Sequence, residues 1–290
     1  MITVSIVGGL GNQMFQYAFA YSVSKKTKKS FDIDISDFED CEHCRPYQLN
    51  IFKIKDKFTH YRVKRKKRNL LNGIIKKIKI IAYKLLNRGY FYQEGNCHFD
   101  ANVFNIKNNT YFSGYWQSEL YFRESRNDLL KQFTLKDPLH IKSQQYKEGI
   151  LLNNAVSLHI RRGDYVESEE TNAFHGICSL GYYQEAVEYV TQNISEACFY
   201  IFSDDLIWAK DNLDFIKNKV FVDLDGSVPD HEEMYLMSVC KHNIIANSSF
   251  SWWGAWLNQN NEKIVIAPKQ WFNDTSINTT DVTPDDWVRL

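Results

Sequence analysis

Short apolar runs alternate with stretches of helical spacing along most of the chain. Residues 2–7, Ile-Thr-Val-Ser-Ile-Val, read as a strand. They meet a glycine turn, Gly8-Gly9-Leu10-Gly11-Asn12, after which Phe15, Ala18, Phe19, Ser22 and Val23 fall at helical spacing. Residues 30–35 read as a second strand, so the chain opens as the β-turn-α-β unit of a parallel sheet. Residues 111–118 read as a strand running into an aromatic loop, and 124–133 as a helix. The stretch from 136 to 154 is polar, and it places a domain boundary near 150. Beyond it the rhythm is regular. Strands are expected at 155–160, 198–202, 220–224, 243–246 and 263–267, with helices at 180–192, 205–213, 231–241 and 249–258. That alternation predicts a doubly wound parallel sheet.

Charge changes the picture in one place. The 290 residues carry 35 basic and 35 acidic side chains, so no global excess points to nucleic acid. Residues 62–88, however, hold eleven Lys or Arg and no acid, which leaves 24 basic and 35 acidic residues in the remainder, a net −11. Leu70, Leu71, Ile74, Ile75, Ile78, Ile81, Ala82, Leu85 and Leu86 form a helical apolar stripe within it, off which Lys76, Lys77, Lys79 and Lys84 fall. Two readings stand: a surface helix packed on the core, or an amphipathic helix lying on an anionic membrane face. The N-terminus lacks a basic leader with a long apolar run, and no apolar run approaches a bilayer span, so the cytoplasm is the expected compartment, with peripheral contact at the inner membrane face if 62–88 docks there.

The chemistry is expected where such sheets bind ligands, beyond the carboxyl ends of their strands. There the sequence reads His159-Ile160-Arg161-Arg162-Gly163-Asp164, then Ser203-Asp204-Asp205, then Asp223-Leu224-Asp225, then Asn247-Ser248-Ser249 ahead of a helix. Adjacent guanidinium groups match phosphate oxygens in pairs, and serines at a helix start also favour an anion. The alternative is plain: Ser248 or Ser249 caps the helix, and the arginines pair with neighbouring carboxylates. Two such motifs on strands of one sheet point to a phosphorylated ligand.

Other motifs are weaker. Gly9-Leu10-Gly11-Asn12-Gln13-Met14 starts like a dinucleotide turn, with Asp32 or Asp34 some 20 residues on, but Met14 stands where the third glycine belongs. Asp32-Ile33-Asp34 and Asp223-Leu224-Asp225 have a D-x-D pattern that can hold a divalent ion on a diphosphate. Cys41-Glu42-His43-Cys44 lacks a clean second ligand pair other than Cys97-His98, and free thiols are the preferred reading. There is no P-loop and no G-x-S-x-G elbow.

Residues 8–17 (Gly-Gly-Leu-Gly-Asn-Gln-Met-Phe-Gln-Tyr), 159–165 and 247–254 (Asn-Ser-Ser-Phe-Ser-Trp-Trp-Gly) together resemble the α-1,2-fucosyltransferases, glycosyltransferase family 11, of the bacterial type. Residues 113–118, 175–178 and 202–205 add lesser matches in the same order. The resemblance implies an α/β GT-B fold of two Rossmann-like doubly wound domains facing a cleft. Residues 1–150 would be the acceptor-side domain and 151–290 the GDP-fucose-binding domain. It implies inverting transfer of L-fucose from GDP-β-L-fucose to the 2-hydroxyl of a terminal galactoside in a surface glycan or oligosaccharide, with no metal and no cofactor. By matching position, Arg161 is the leading pyrophosphate ligand, supported by Arg162 and His159. Asn12 and Gln13 would approach the donor from the first turn. Asn247, Ser248, Ser249 and Phe250 would line phosphates and fucose, and Ser203, Asp204 and Asp205 the nucleoside. Tyr115 and Trp116 are candidate acceptor contacts. Asp164 and His175 are candidate bases, with Glu167, Glu169 and Glu170 behind them, and a mechanism without a dedicated base stays open. The competing reading is a non-catalytic, membrane-peripheral glycan-binding protein.

Overall fold

The computed structural model describes residues 1–38, 45–54, 90–95, 97–106, 109–163, 174 and 176–290. The basic segment 62–88, Cys41, Cys44, Asp164, Glu167, Glu169, Glu170 and His175 lie outside them. The chain forms two units, Met1–Lys136 with Thr280–Val282, and Asp137–Thr279 with Thr283–Leu290. The polar stretch before residue 150 holds a surface helix of the second unit, and the division falls at 136/137 rather than near 150.

In the first unit, β1 (Ile2–Ser5), β2 (Phe31–Asp34), β3 (Tyr90–Gln93) and β4 (Thr110–Ser113) form a parallel sheet in the order β2-β1-β4-β3. Helix α1 (Leu10–Thr27) follows β1 directly and is buried nearly all round, from Leu10 to Val23. A helix with that little polar surface has to lie inside its unit. It ends at Lys28, which takes a left-handed conformation and donates its N–H to Ser24. Helix α2 (Arg126–Gln132) is tied to α1 by Lys25 Nζ and Tyr21 Oη on Asp128 Oδ2, at 2.6 and 3.1 Å.

The second unit carries α3 (Ile141–Leu152), β5 (Asn154–Ile160), α4 (Leu180–Asn193), β6 (Ala197–Ser203), α5 (Leu206–Asn212), β7 (Lys219–Phe221), α6 (His231–Val239), β8 (His242–Ile244), α7 (Ser249–Leu257), β9 (Val265–Ala267) and β10 (Val288–Arg289). Its sheet is wholly parallel, in the order β10-β9-β8-β5-β6-β7. Strands β5 and β6 are buried along almost their whole length, as expected of central parallel strands covered on both faces. One face packs Val156, Leu158, Ile201 and Ile244 against α4, and the other packs Ala155, Tyr200 and Phe202 against α6. Helices α6 and α7 approach closely at Gly254, where an added Cβ would stand 2.8 Å from Met237 Cβ, so the small residue is required for that packing. Among the described residues no helix is long and apolar enough to cross a membrane.

Candidate active site

The second sheet brings two of the sequence motifs together. Strand β5 lies between β8 and β6, so its carboxyl end at His159–Ile160 adjoins Ser203 and the turn into α7. His159 is buried against Phe250 of α7, with ring centroids 6.0 Å apart. Burial, with the charge of Arg161 behind it, lowers its pKa to about 3, so the imidazole is neutral. Its Nδ1 is buried without a hydrogen-bond partner among the described residues, as is Arg162 Nε. Two of the three such atoms described in the second unit thus sit at one strand end.

The carboxylates of the Ser203-Asp204-Asp205 turn hold the arginines. Arg161 Nη1 lies 3.0 Å from Asp204 Oδ2, and the Arg162 N–H donates to Asp204 Oδ1 at 2.8 Å. Asp205 caps α5 through the Trp208 N–H at 3.0 Å and faces Arg162 Nε at 3.6 Å. Its own N–H rests on Ser203 Oγ. These two aspartates, expected at the nucleoside, here orient the arginines. The Arg161–Asp204 pair is partly exposed.

Ser248 caps α7 by accepting the Phe250 N–H at 3.3 Å. Ser249 and Phe250 are half-buried in the first turn, beside His159. The remaining first-turn N–H groups and the helix dipole favour an anion there. Asn247 has another role than donor contact. It is buried, it donates to the carbonyls of Gly176 and Trp271 at 3.2 and 3.3 Å, and Cys178 Sγ donates to its Oδ1 at 3.4 Å. With both amide hydrogens spent, it ties the 176–178 and 271–273 segments to the sheet edge.

Sequence reasoning overlooked Glu233 on α6. Burial, then the charges of Asp230 and Asp204, push its carboxyl up to about 7. Only the packing of α6 against the sheet brings it near Asp204, and no motif signals that. The D-x-D carboxylates are engaged elsewhere: Asp34 accepts Tyr111 Oη at 2.7 Å and the Ser36 N–H at 3.0 Å, while Asp225 pairs with Lys142 and Ser227.

In the first unit the glycine turn leads from β1 into α1. Gly8 has φ +79°, and a Cβ there would meet Asn12 Nδ2 at 2.9 Å. Gln13 is fully buried and donates to the carbonyls of Gly8 and Pro46, both at 2.9 Å, while accepting the Gln48 N–H at 2.8 Å. Its amide is consumed in clamping the turn to residues 46–48, which removes it as a donor ligand. Gln16 clamps likewise between the Val7 N–H and the Gly114 carbonyl. Asn12 accepts from Gln117 Nε2 at 2.8 Å, and its amide hydrogens have no partner among the described residues.

Trp116 is corrected as an acceptor platform. It is 1% exposed, stacked on Phe19 at 4.1 Å and 8°, and edge-on to Phe112 and Tyr121. No sugar reaches a ring so enclosed. Its left-handed backbone, φ +57°, is held by Glu94, whose carboxylate accepts the N–H groups of Tyr115 at 2.6 Å and Trp116 at 3.0 Å. Tyr115, by contrast, is 48% exposed.

A parallel α/β chain with this arrangement falls among the glycosyltransferases: the family model described as Glycosyl transferase family 11 matches residues 1–290. The chain belongs to that family. It is similar to an α-1,2-colitosyltransferase of Escherichia coli, 34% identical over 301 residues that cover 100% of this chain and 99% of the relative. It is likewise similar to the O-antigen biosynthesis glycosyltransferase WbnK of Escherichia coli, 35% identical over 98% of each. A galactoside α-(1,2)-fucosyltransferase 2 of Rattus norvegicus is 25% identical, covering 89% of this chain and 67% of that protein. Among solved structures, a mutant FUT1 of Arabidopsis thaliana in complex with GDP has a similar fold. Its TM-score is 0.51 at 10% identity, covering 93% of this chain and 71% of that one.

Proposed function

We propose that the protein transfers L-fucose from GDP-β-L-fucose, with inversion and without a metal ion, to the 2-hydroxyl of a terminal galactoside in a surface glycan. The observation that carries this reading is the pair of arginines at the end of β5 beside the Ser248-capped start of α7, in a family 11 chain. Breaking the fucose–phosphate bond leaves negative charge on the diphosphate. Arg161, released from Asp204, and the first turn of α7 would stabilise that charge as it develops. Phe250 and the buried, uncharged His159 bring no competing charge and little water to the site, so such charges interact more strongly there. Asp164 and His175 remain the proposed bases for the attacking hydroxyl. A glycan of the bacterial envelope is supported as acceptor by the O-antigen name of one relative, and contact of 62–88 with an anionic membrane face would suit it.

A second donor is favoured by the colitosyltransferase, 34% identical along the whole chain. Colitose lacks the 3-hydroxyl of L-fucose, so the same diphosphate site serves both sugars. The test is incubation with lactose and either GDP-fucose or GDP-colitose, with and without EDTA. The expected result is a 2-O-fucosylated product that forms at the same rate with EDTA and exceeds the colitosylated one. Preference for GDP-colitose would transfer the reading to that donor. Activity lost on chelation would overturn the metal-free mechanism.

A further inference from the structure

Arg161 and Arg162 are neighbours in sequence, but the structure treats their guanidinium groups differently. That of Arg161 meets Asp204 at the partly exposed sheet edge. The guanidinium carbon of Arg162 instead lies 4.1 Å from the ring centroid of Trp208, in the first turn of α5. Its Nε is buried, makes no hydrogen bond among the described residues, and sits 3.6 Å from Asp205 Oδ2, an ion pair rather than a hydrogen bond. Asp205 is itself fixed, with its carboxylate on the Trp208 N–H and its N–H on Ser203 Oγ. The main chain of Arg162 is wired to the carboxylate that holds Arg161, at 2.8 Å. The contacts run in series from Trp208 to Arg162, to Asp204, to Arg161.

We infer that Arg162 is a positioning residue and not a diphosphate ligand: stacked on Trp208 and balanced by Asp205, it braces the turn that aims Arg161. A planar guanidinium is needed for such a stack, and a lysine ammonium is a poor substitute. The inference rests on the donor site proposed above, and it narrows that site to one ligand arginine of the two.

The test is a double-mutant cycle on the full chain, read by GDP titration and, separately, by denaturant unfolding of the nucleotide-free protein. Arg162→Ala and Trp208→Ala should each weaken GDP binding about 10-fold, the scale of a lost cation–π contact and its ion pair. The double variant should be no more than about twofold weaker than either, because both remove one brace. Arg162→Lys should not restore affinity, whereas Trp208→Phe should bring it to within about threefold of the parent. Multiplicative effects of the two alanines, or full affinity in Arg162→Lys, would overturn the inference and make Arg162 a ligand in its own right. If the parent protein bound no GDP, the donor reading would fail. The unfolding cycle would then still decide the brace, since non-additive losses support it and additive losses refute it.

Discussion

Arg161→Ala is expected to lower kcat by about 10²–10³-fold, the loss seen when one donor is removed from a developing oxyanion. The residue stands at the end of a buried central strand, which fixes its backbone, and its Nη1 lies 3.0 Å from Asp204. Asp204 is itself anchored by the Arg162 N–H, so the carboxylate keeps the guanidinium in place until a stronger anion displaces it. A diphosphate offers more charge and more acceptor oxygens than a single carboxylate, and charge builds on it as the glycosidic bond breaks. The effect should therefore fall on kcat more than on the acceptor KM. Arg161→Lys should recover part of the rate, because a point charge keeps some of the attraction but not the paired geometry. Steady-state kinetics with saturating acceptor separate these outcomes. A loss below about threefold would remove Arg161 from the chemistry.

The second large effect is on acid stability, through His159. In the folded chain burial and Arg161 lower its pKa to about 3, while the unfolded chain titrates at the ordinary 6.5. Between those values the unfolded state binds a proton that the native state refuses. Stability is therefore complete above about pH 6.5 and falls as the pH drops toward 3, by up to about 1.4 kcal/mol for each pH unit. Glu233 acts in the opposite sense. Its raised pKa of about 7 means the native state holds the extra proton, so its contribution is present below the ordinary carboxyl value of 4.5 and is lost as the pH rises through 7. His159→Leu should flatten the acid limb between pH 6 and 4 while leaving the neutral limb in place. Denaturant melts across that range check it, and an unchanged acid slope in the variant would show that His159 protonates in the fold.

Every described strand except β3 and β10 overlaps a stretch read as a strand from the sequence, because short runs rich in apolar residues alternate there with turns and helical spacing. Those missed are short or half-exposed. Strand β3 is Tyr-Phe-Tyr-Gln at a sheet edge, and β10 has two residues. Helix α3 escaped notice because only Ser143 and Ile150 of its twelve residues are buried, which leaves no stripe to see. At the site, the rule that ligands gather beyond strand ends put Arg161, Ser203 and Ser248 at one sheet edge, because alternation makes the strands parallel and their carboxyl ends share a side; that β5 adjoins β6 and β8 comes from the strand order, which alternation does not fix. Polar side chains that serve the fold were harder to tell from ligands. Gln13 is spent on a carbonyl 33 residues away, and Asn247 on carbonyls 71 and 24 residues away. An aromatic two residues after a glycine, such as Trp116, reads equally as a sugar platform or as core. Only the ring of Phe19, 4.1 Å from it, decides for the core.

The central claim is that the leaving nucleotide is held by Arg161 and the first turn of α7, with no divalent ion between them. Calorimetric titration of GDP into the parent protein and into Arg161→Ala, both in EDTA, measures it most directly. The account predicts binding by the parent protein under chelation and an affinity about 100-fold weaker in the variant. Equal affinities, or binding that begins only when Mg²⁺ or Mn²⁺ is supplied, would contradict it.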